Sequence, residues 1–403
     1  MNHHRRRRLL GLALAAPLAL AACAGAPTTT PGAVGDPTLS APAVTTPASP
    51  PASPTVGPRP GDLPGMPPLL DPADVYAADQ VGELAPAVRG VPQRVYVPNS
   101  ESDSVDVIDP RTFKIIDHFP VGKLPQHVVP SYDLTTLWVN NNQGNTLTPL
   151  DPRTGKPGTA LPVDAPYNLY FTPDGRSAMI MAERLRRIDF RDPHTMLLQS
   201  SLAVPDCEGL NHADFSADGT FFLATCEFAG KMIKVDTANR TLVGTLDLGA
   251  KMAPQDVRLT PDGTRFVSAD MNAGGIHVID PVRLAETSFV KTGRGAHGVY
   301  FSRDSKDMYV SNREEGSVSV LDAATLEVRA TWKISPTATP DMGGVSADGT
   351  QLWLSGRYRS EVYVLDTGTG TLLATIKVGA GPHGLAFFPQ PGRYSLGHTG
   401  TYR

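Results

Sequence analysis

The stretch at positions 95–112, VYVPNSESDSVDVIDPRT, combines two short runs of alternating apolar residues with a polar loop between them. The second run ends in a carboxylate and is followed by a turn sequence. The same order of features returns in LWVNNNQGNTLTPLDPRTG at 137–155 and in MYVSNREEGSVSVLDAAT at 308–325. Alternating apolar residues bounded by turn-forming residues are typical of antiparallel strands joined as hairpins. We therefore expect a repeated β-structure.

Each repeat continues with a third strand pattern, as in LVGTLDLGA at 242–250, and with a fourth that ends in a turn, as in NLYFTPDG at 168–175. The repeat recurs every 41 to 44 residues, which is the length of one four-stranded propeller blade. Seven sets of three strands are present, and the strand after His383 has no set after it. The sequence therefore predicts an all-β, seven-bladed β-propeller with four antiparallel strands per blade. Pairing of the C-terminal strand into the first blade would close the ring.

Three segments resemble the YVTN repeat of bacterial and archaeal propellers, namely Tyr96–Asn99, Trp138–Asn141 and Tyr309–Asn312. PHGLAFFP at 382–389 and FTPDG at 171–175 match the other half of that repeat. The resemblance covers residues 91–389 and implies the propeller fold. It leaves the function open, because the family includes surface-layer and adhesive proteins, sugar-lactone hydrolases and relatives of haem-binding propellers.

The N-terminus has the composition of a secretion signal. Four arginines at positions 5–8 precede an apolar run from Leu9 to Ala22 that is short for a bilayer span. LAAC at 20–23 resembles a bacterial lipobox, which implies a lipoprotein signal peptide at 1–22 and lipidation of Cys23. The protein would then be anchored by lipid to the membrane, on the extracytoplasmic side of the cell envelope. The alternatives are a cleaved signal peptide without a lipid and an uncleaved anchor with a chance cysteine.

Composition divides the rest of the chain. Residues 23–68 are rich in Pro, Thr and Ala and predict a disordered tether that starts at the lipidated cysteine. A transition segment at 69–90 precedes the propeller at 91–390, and a C-terminal tail follows at 391–403. Loss of residues 1–22 removes four arginines and no acidic residue, so the formal charge changes from −4 to −8. Nucleic-acid binding requires a basic face, so nucleic acid is not an expected partner, and we expect a monomer.

The segments that lead into the seven inner strands each carry a polar residue. These residues are His127, Asn168, His212, Asp256, His297, Asp341 and His383. They are expected to converge at one mouth of the central channel and form a binding site for a protein or small-molecule partner. The other interpretation is that each residue packs against the next blade without a ligand. Relative to the following turn, the last three lie one residue earlier than the first four. Strict alternation would turn the two groups to different faces, unless the irregular lead-in segments absorb the offset.

Loops between the second and third strands of each blade are expected to reach the same mouth. They bring amides, carboxylates and guanidinium groups together: Asn99 to Glu101, Asn140 to Asn142, Glu183 and Arg184, Cys226 and Glu227, Asp270 and Asn272, Asn312 to Glu315, and Arg357 to Arg359.

Two cysteines remain after Cys23, and two predicted strands separate them. Cys207 and Cys226 should therefore reach the same end of one blade, which favours a disulfide in an oxidising compartment. The alternative joins Cys207, Cys226 and His212 as ligands of a metal, although the spacing lacks the C-x-x-C pattern of strong metal sites.

These features favour a non-enzymatic binding or interaction module, because the sequence has no G-x-S-x-G or H-E-x-x-H motif. No cofactor is assigned. The alternative is a cofactor- or metal-dependent enzyme, similar to the haem-binding or lactone-hydrolysing members of the family, with a haem-like group or a transition metal. In that case His297, His383, Asp256 and Asp341 are the candidates for acid–base chemistry.

Overall fold

The computed structural model describes residues 57, 59–398 and 400–403, and these form a ring of antiparallel sheets. The predicted signal peptide, Cys23 and most of the predicted tether lie outside the described residues. Within the described part there is no helix long and apolar enough to cross a membrane.

Seven blades follow one another around the ring. Within each blade, the strands are, in order from the innermost to the outermost, as follows. Blade 1 has Ala386–Phe388, Arg94–Asn99, Ser104–Asp109 and Lys114–Pro120; blade 2 has Pro125–Pro130, Leu137–Asn141, Thr146–Asp151 and the short Lys156–Pro157 and Leu161–Pro162; blade 3 has Pro166–Phe171, Ala178–Ala182, Arg187–Arg191 and Leu198–Ala203. Blade 4 has Leu210–Phe215, Phe221–Cys226, Lys231–Asp236 and Thr241–Asp247; blade 5 has Pro254–Leu259, Phe266–Asp270, Gly275–Asp280 and Ala285–Lys291. Blade 6 has Ala296–Phe301, Asp307–Asn312, Ser317–Asp322 and Val328–Lys333; blade 7 has Pro340–Val345, Gln351–Gly356, Glu361–Asp366 and Leu372–Lys377. The short 3₁₀ helices of the described part are Ala77–Asp79, Pro86–Val88, Glu183–Leu185 and Glu227–Ala229.

The ring closes as the sequence predicts. The strand Ala386–Phe388 pairs antiparallel with the strand that begins at Arg94, so that Tyr96 lies opposite Ala386. Val95 and Phe387 of blade 1 belong to the same buried cluster as Trp353 of blade 7. The prediction of a seven-bladed all-β propeller is therefore confirmed.

Burial falls from the channel outwards. Every residue of the inner strand Ala296–Phe301 is buried, whereas most residues of the outer strand Val328–Lys333 in the same blade are exposed. The middle strands supply the apolar residues that pack between blades, because alternate side chains point to opposite faces of each sheet. Polar residues on the inner strands therefore face a channel and not a blade core.

The asparagine of the YVTN-like repeat has a structural role. Asn99 donates its amide hydrogens to Ser104 and Asp106 on the adjacent strand, and Asn312 donates in the same way to Ser317 and Ser319. These bonds close the loop between the second and third strands of the blade. The amide nitrogens of Asn99 and Asn312 are therefore used within their own blades, whereas Oδ1 of Asn99 has no hydrogen-bond partner among the described residues.

The inner strands begin at one end of the channel, which we call the mouth, and end at turns on the opposite side, which we call the turn face. Residues 59–93 cross the turn face. The backbone N–H of Leu63 donates to the carbonyl of Asp218 at 2.8 Å, and that of Val75 donates to Pro261 at 2.8 Å. Ordered contact with the propeller thus begins before residue 68, where the predicted tether ends, and continues through the transition segment.

The C-terminal tail forms a small hairpin inside the ring. Its strands, Ser395–Gly397 and Thr401–Tyr402, pair with each other, and Gly397 pairs with Tyr170 on the inner strand of blade 3. Gly397 has a φ of +102°, and a Cβ atom there would lie 2.4 Å from the carbonyl oxygen of Leu169. Glycine is required at this position because the tail approaches the blade 3 backbone so closely.

Candidate functional site

A β-bulge near the mouth interrupts the regular pairing of the inner strands. In blade 4, Asn211 and His212 together lie opposite the single residue Thr225. Blades 2, 5, 6 and 7 have the same two-against-one arrangement, and blade 3 has an extra residue at Tyr167. A bulge twists the strand and redirects a side chain that regular alternation would turn away.

The bulges account for the two registers seen in the sequence. In blades 2 to 5 the predicted polar residue is the second of the two bulge residues, as His212 is in blade 4. In blades 6 and 7 it is the first, as His297 is in blade 6. Both groups reach the channel because the bulge breaks strict alternation. The offset between the two groups is therefore absorbed at the bulges, which depend on pairing with the neighbouring strand.

The histidines of four blades meet in the channel. The ring centre of His127 lies 4.8 Å from that of His383 and 5.7 Å from that of His212. His297 lies 6.2 Å from both His212 and His383. Each of these four residues is at most 2% exposed. The histidines fill the channel just inside the mouth and are not spread around an open rim.

A fifth histidine, His398, enters the cluster from the C-terminal tail. Its ring centre lies 4.8 Å from that of His212 and 5.4 Å from that of His127. Its Nδ1 atom is 3.2 Å from the side-chain amide nitrogen of Asn168. The repeat pattern does not extend into the tail and gives it no role. The one feature of the tail sequence that could have indicated a site is a histidine between the glycines at 397 and 400.

The two predicted carboxylates also lie in the channel. Asp341 is 3.1 Å from Nδ1 of His297 and 2.6 Å from the guanidinium group of Arg313. One oxygen of Asp256 accepts a 2.9 Å hydrogen bond from the backbone N–H of Val299 in blade 6. That bond links blades 5 and 6, so one oxygen of Asp256 stabilises the ring. The other oxygen is available to bind a ligand.

Several polar atoms in this cluster have no hydrogen-bond partner among the described residues. They are Nε2 of His127, His212 and His398, Nδ1 of His383, Oδ1 of Asp256 and Oδ2 of Asp341. A buried polar atom without a partner costs free energy, about 1–3 kcal/mol. A group of such atoms directed at one another therefore indicates a place where a ligand, an ion or water completes the bonding.

Burial keeps the imidazoles neutral. It lowers the pKa of His127 to about 3, and the neighbouring His398 contributes in the same direction. Burial also lowers the pKa values of the other four well below the usual value of 6.5: His212, His297, His383 and His398. Neutral imidazoles have a nitrogen lone pair, so the cluster is suited to accept a hydrogen bond or to bind a metal ion.

The mouth above the histidines has charge of both signs. On one side, Glu183 and Glu227 are half-buried, and burial raises the pKa of each. On the other side, Arg313 and Arg357 lie beside Asp341, with Arg357 4.0 Å from its second oxygen. Glu183 and Glu227 thus give blades 3 and 4 carboxyl groups beside the channel, and Arg313 and Arg357 give blades 6 and 7 guanidinium groups. The same loops also carry Arg184 in blade 3 and Glu314 and Glu315 in blade 6.

Two large apolar side chains stand exposed on the loops of the same mouth. Phe228 and Tyr358 are each 62% exposed, and they follow Glu227 and Arg357 in the chain. Exposed aromatic side chains beside charged groups are common in binding surfaces, because they give contact area at little cost in conformational entropy.

The predicted cysteine pair is joined. A disulfide links Cys207 and Cys226, with their Cα atoms 4.8 Å apart, at the mouth end of blade 4. The alternative in which both sulfur atoms bind a metal with His212 is therefore not the arrangement in the structure, because each sulfur atom is used in the disulfide bond.

The propeller belongs to a known group of proteins. The model of the YNCE-like beta-propeller family matches residues 66–391. The chain belongs to this family. The uncharacterized protein YncE of Salmonella typhimurium is 24% identical over 278 residues, which cover 63% of this chain and 74% of that protein.

Solved structures share the fold of this YNCE-like propeller at low sequence identity. A functionally unknown protein from Desulfotomaculum acetoxidans superposes with a TM-score of 0.61 at 16% identity, over 73% of this chain and 98% of that one. Kuenenia stuttgartiensis hydrazine synthase gives 0.55 at 19% identity, over 64% and 88%. The dihydro-heme d1 dehydrogenase NirN gives 0.55 at 17% identity, over 76% of each chain. Likeness at these identities shows the propeller fold alone.

Proposed function

We propose that this protein is a lipid-anchored, extracytoplasmic propeller that binds a small polar molecule at the mouth of its channel. The observation that carries the proposal is the convergence of polar side chains from all seven blades, with unpartnered atoms among the described residues. A concave site with a few converging polar groups is the usual form of a small-molecule site.

The charged groups of the mouth limit the kinds of ligand that it can bind. Arg357 has one guanidinium nitrogen, Nη1, without a hydrogen-bond partner in the described part of the chain, and Nε of Arg313 is in the same state. A guanidinium group that is only partly used can bind a carboxylate or phosphate group. We therefore propose that the ligand carries an anionic group and that Arg357 binds it.

A copurification experiment tests this function. Protein purified from the native cell envelope is expected to contain a small molecule visible by native mass spectrometry, and Arg357→Ala is expected to lose it. Arg359→Ala is the matched control, because Arg359 is an exposed arginine of the same loop. Absence of any copurified molecule, or equal retention by both variants, would contradict the proposal.

The anchoring part of the proposal rests on the lipobox-like sequence at 20–23. Cys23→Ser is expected to abolish incorporation of labelled palmitate and to release the protein from the membrane fraction, since the lipid would be its main attachment. Palmitate labelling that persists in Cys23→Ser would show that Cys23 is not the lipidated residue.

A second candidate function is a cofactor- or metal-dependent enzyme, and the five neutral imidazoles favour it. The names of two similarly folded proteins, hydrazine synthase and a dihydro-heme d1 dehydrogenase, describe redox enzymes. An absorption spectrum and metal analysis of the envelope-purified protein separate the two candidates. A stoichiometric chromophore that is lost in His297→Ala and His383→Ala supports the enzyme, and a colourless protein with an anionic ligand supports the binding module.

A further inference from the structure

Three of the five channel histidines form a compact group. One ring nitrogen of each of His127, His212 and His398 lies within 4.8 Å of the corresponding atoms of the other two. All three side chains are at most 1% exposed, and their Nε2 atoms have no hydrogen-bond partner among the residues that the structure describes. Imidazole nitrogens are common ligands of Zn²⁺ and of other divalent transition metals.

The opposite nitrogen of each ring is held in place. Nδ1 of His127 lies 3.0 Å from the backbone carbonyl of Tyr167, to which it can donate. Nδ1 of His212 and Nδ1 of His398 lie 3.4 Å and 3.2 Å from the amide group of Asn168. In the structure the amide nitrogen faces both rings, and the amide oxygen accepts a 2.9 Å hydrogen bond from the backbone N–H of Leu169. Metal binding through Nε2 requires the amide to turn over, so that its oxygen accepts from both Nδ1–H groups and the bond from Leu169 is given up. Metal-binding histidines usually donate their second N–H to such an acceptor, which fixes the ring and its tautomer.

A carboxylate lies beside the three rings. Oδ1 of Asp256 is 3.5 Å from Nε2 of His398 and has no hydrogen-bond partner within the described residues. Neighbouring ligand atoms of a tetrahedral Zn²⁺ site are about 3.4 Å apart, given bonds of about 2.05 Å. The carboxylate would also supply negative charge for a cation in a buried site.

We propose that His127, His212 and His398 bind a divalent transition-metal ion such as Zn²⁺ through their Nε2 atoms, with Asp256 as the fourth ligand. The inference rests on the proposed function, because it specifies a ligand inside the same channel. Ion binding draws the three rings slightly closer together. It also fixes the C-terminal tail, because His398 is the tail's contribution to the site.

The other histidine group in the channel is less suited to a cation. His297, His383 and Asp341 also lie within 4.8 Å of one another. Asp341, however, already forms an ion pair with Arg313, and Arg357 lies 4.0 Å away. Two guanidinium groups next to the carboxylate repel a divalent ion. In the first group, no described arginine forms an ion pair with Asp256, and the guanidinium group that acts on Asp256 and His398 is that of Arg258.

Metal titration of the full-length, lipidated protein tests the site. The protein is prepared without a histidine tag, stripped with a chelator and titrated with Zn²⁺ and with Co²⁺ as a spectroscopic probe. One ion per chain and the visible bands of tetrahedral Co²⁺ are expected. His398→Ala is expected to weaken binding at least about 100-fold, and Asn168→Leu about 10- to 100-fold. His398→Gln, which retains a polar side chain of similar length, separates loss of the ligand from loss of the fold.

One control variant locates the site. His194→Ala changes an exposed histidine on the outer side of blade 3. It should bind Zn²⁺ like the unchanged protein. Failure of the unchanged protein to bind one ion, or equal binding by folded His398→Gln, overturns the inference. Retention of an Arg357-dependent small molecule in the same preparation would leave the proposed function standing.

Discussion

Nε2 of His398 lies 3.5 Å from Oδ1 of Asp256, which places the C-terminal tail against the inner strand of blade 5. The tail also pairs with blade 3 through Gly397, and Thr401 accepts a 2.8 Å hydrogen bond from Arg258 of blade 5. The tail therefore forms part of the channel wall. Substitutions in the tail should change the channel without touching the residues of the mouth.

Gly397→Ala should displace the tail. The new Cβ would lie 2.4 Å from the carbonyl oxygen of Leu169, and φ at this residue is +102°. We expect a loss of about 2–4 kcal/mol from the free energy of unfolding, together with faster proteolysis of the tail. Chemical denaturation and limited proteolysis measure the two effects. Gly368→Ala is the matched control, because its Cβ would meet one atom at an ordinary 3.5 Å. Equal stability of the two variants would show that the tail does not need this close approach.

Tyr170→Phe should weaken the contact between blades 3 and 4. The hydroxyl oxygen of Tyr170 accepts a 2.9 Å hydrogen bond from the backbone N–H of Ala213. The substitution removes the hydroxyl group and leaves this N–H buried without that partner. We expect a loss of about 1–3 kcal/mol in the free energy of unfolding. Tyr300→Phe should behave alike, because Tyr300 accepts from Gly343 at 2.6 Å between blades 6 and 7. The exposed Tyr358→Phe should be neutral, and a similar loss there would argue against the inter-blade bonds as the cause.

Asp79→Asn should raise stability at neutral pH and leave it unchanged in acid. Burial raises the pKa of Asp79 to about 7 from 3.8. Between about pH 4 and 7 the unfolded chain therefore releases a proton that the folded chain retains, so stability falls as pH rises through this range. Removal of the carboxyl is expected to restore up to about 4 kcal/mol at and above pH 7. The charged or titratable groups that face Asp79 are Arg258, Arg303, Arg403, Asp74 and Tyr402.

Thermal midpoints at pH 4, 5.5 and 7.5 measure the effect of Asp79→Asn. Glu83→Gln removes an exposed carboxyl from the same N-terminal segment and is the matched control. A gain for Asp79→Asn that is the same at pH 4 and pH 7.5 would contradict the assignment of the effect to ionisation.

Reduction of the Cys207–Cys226 disulfide should destabilise the propeller. The bond closes a loop of sequence separation 19, for which the loss of chain entropy predicts about 3 kcal/mol. Denaturation curves with and without reductant give the difference. The double variant Cys207→Ala, Cys226→Ala should match the reduced protein and should not respond to reductant. A response of the double variant to reductant would show that another effect is being measured.

The repeat makes the fold predictable in detail. Alternating residues such as those of 95–112 favour strands through local steric and burial preferences, and turn sequences, such as Asp-Gly at 174–175 and 262–263, indicate where strands end. The seven polar positions are identifiable because they recur with the repeat. Side-chain direction at those positions is not predictable, since it depends on bulges formed with the neighbouring strand, as at His297 and Gly298.

The sequence by itself determined the blade, the number of blades and the closing strand, because each follows from local patterns and from counting. It favoured the disulfide between Cys207 and Cys226, which the structure contains. The tertiary structure alone decided that His398 joins His127 and His212, because the path of a glycine-rich tail depends on packing against a channel formed by distant segments. It also decided that residues 59–93 cover the turn face, because the residues that they contact there belong to blades far along the chain. Long-range packing of this kind leaves no periodic signal in the sequence.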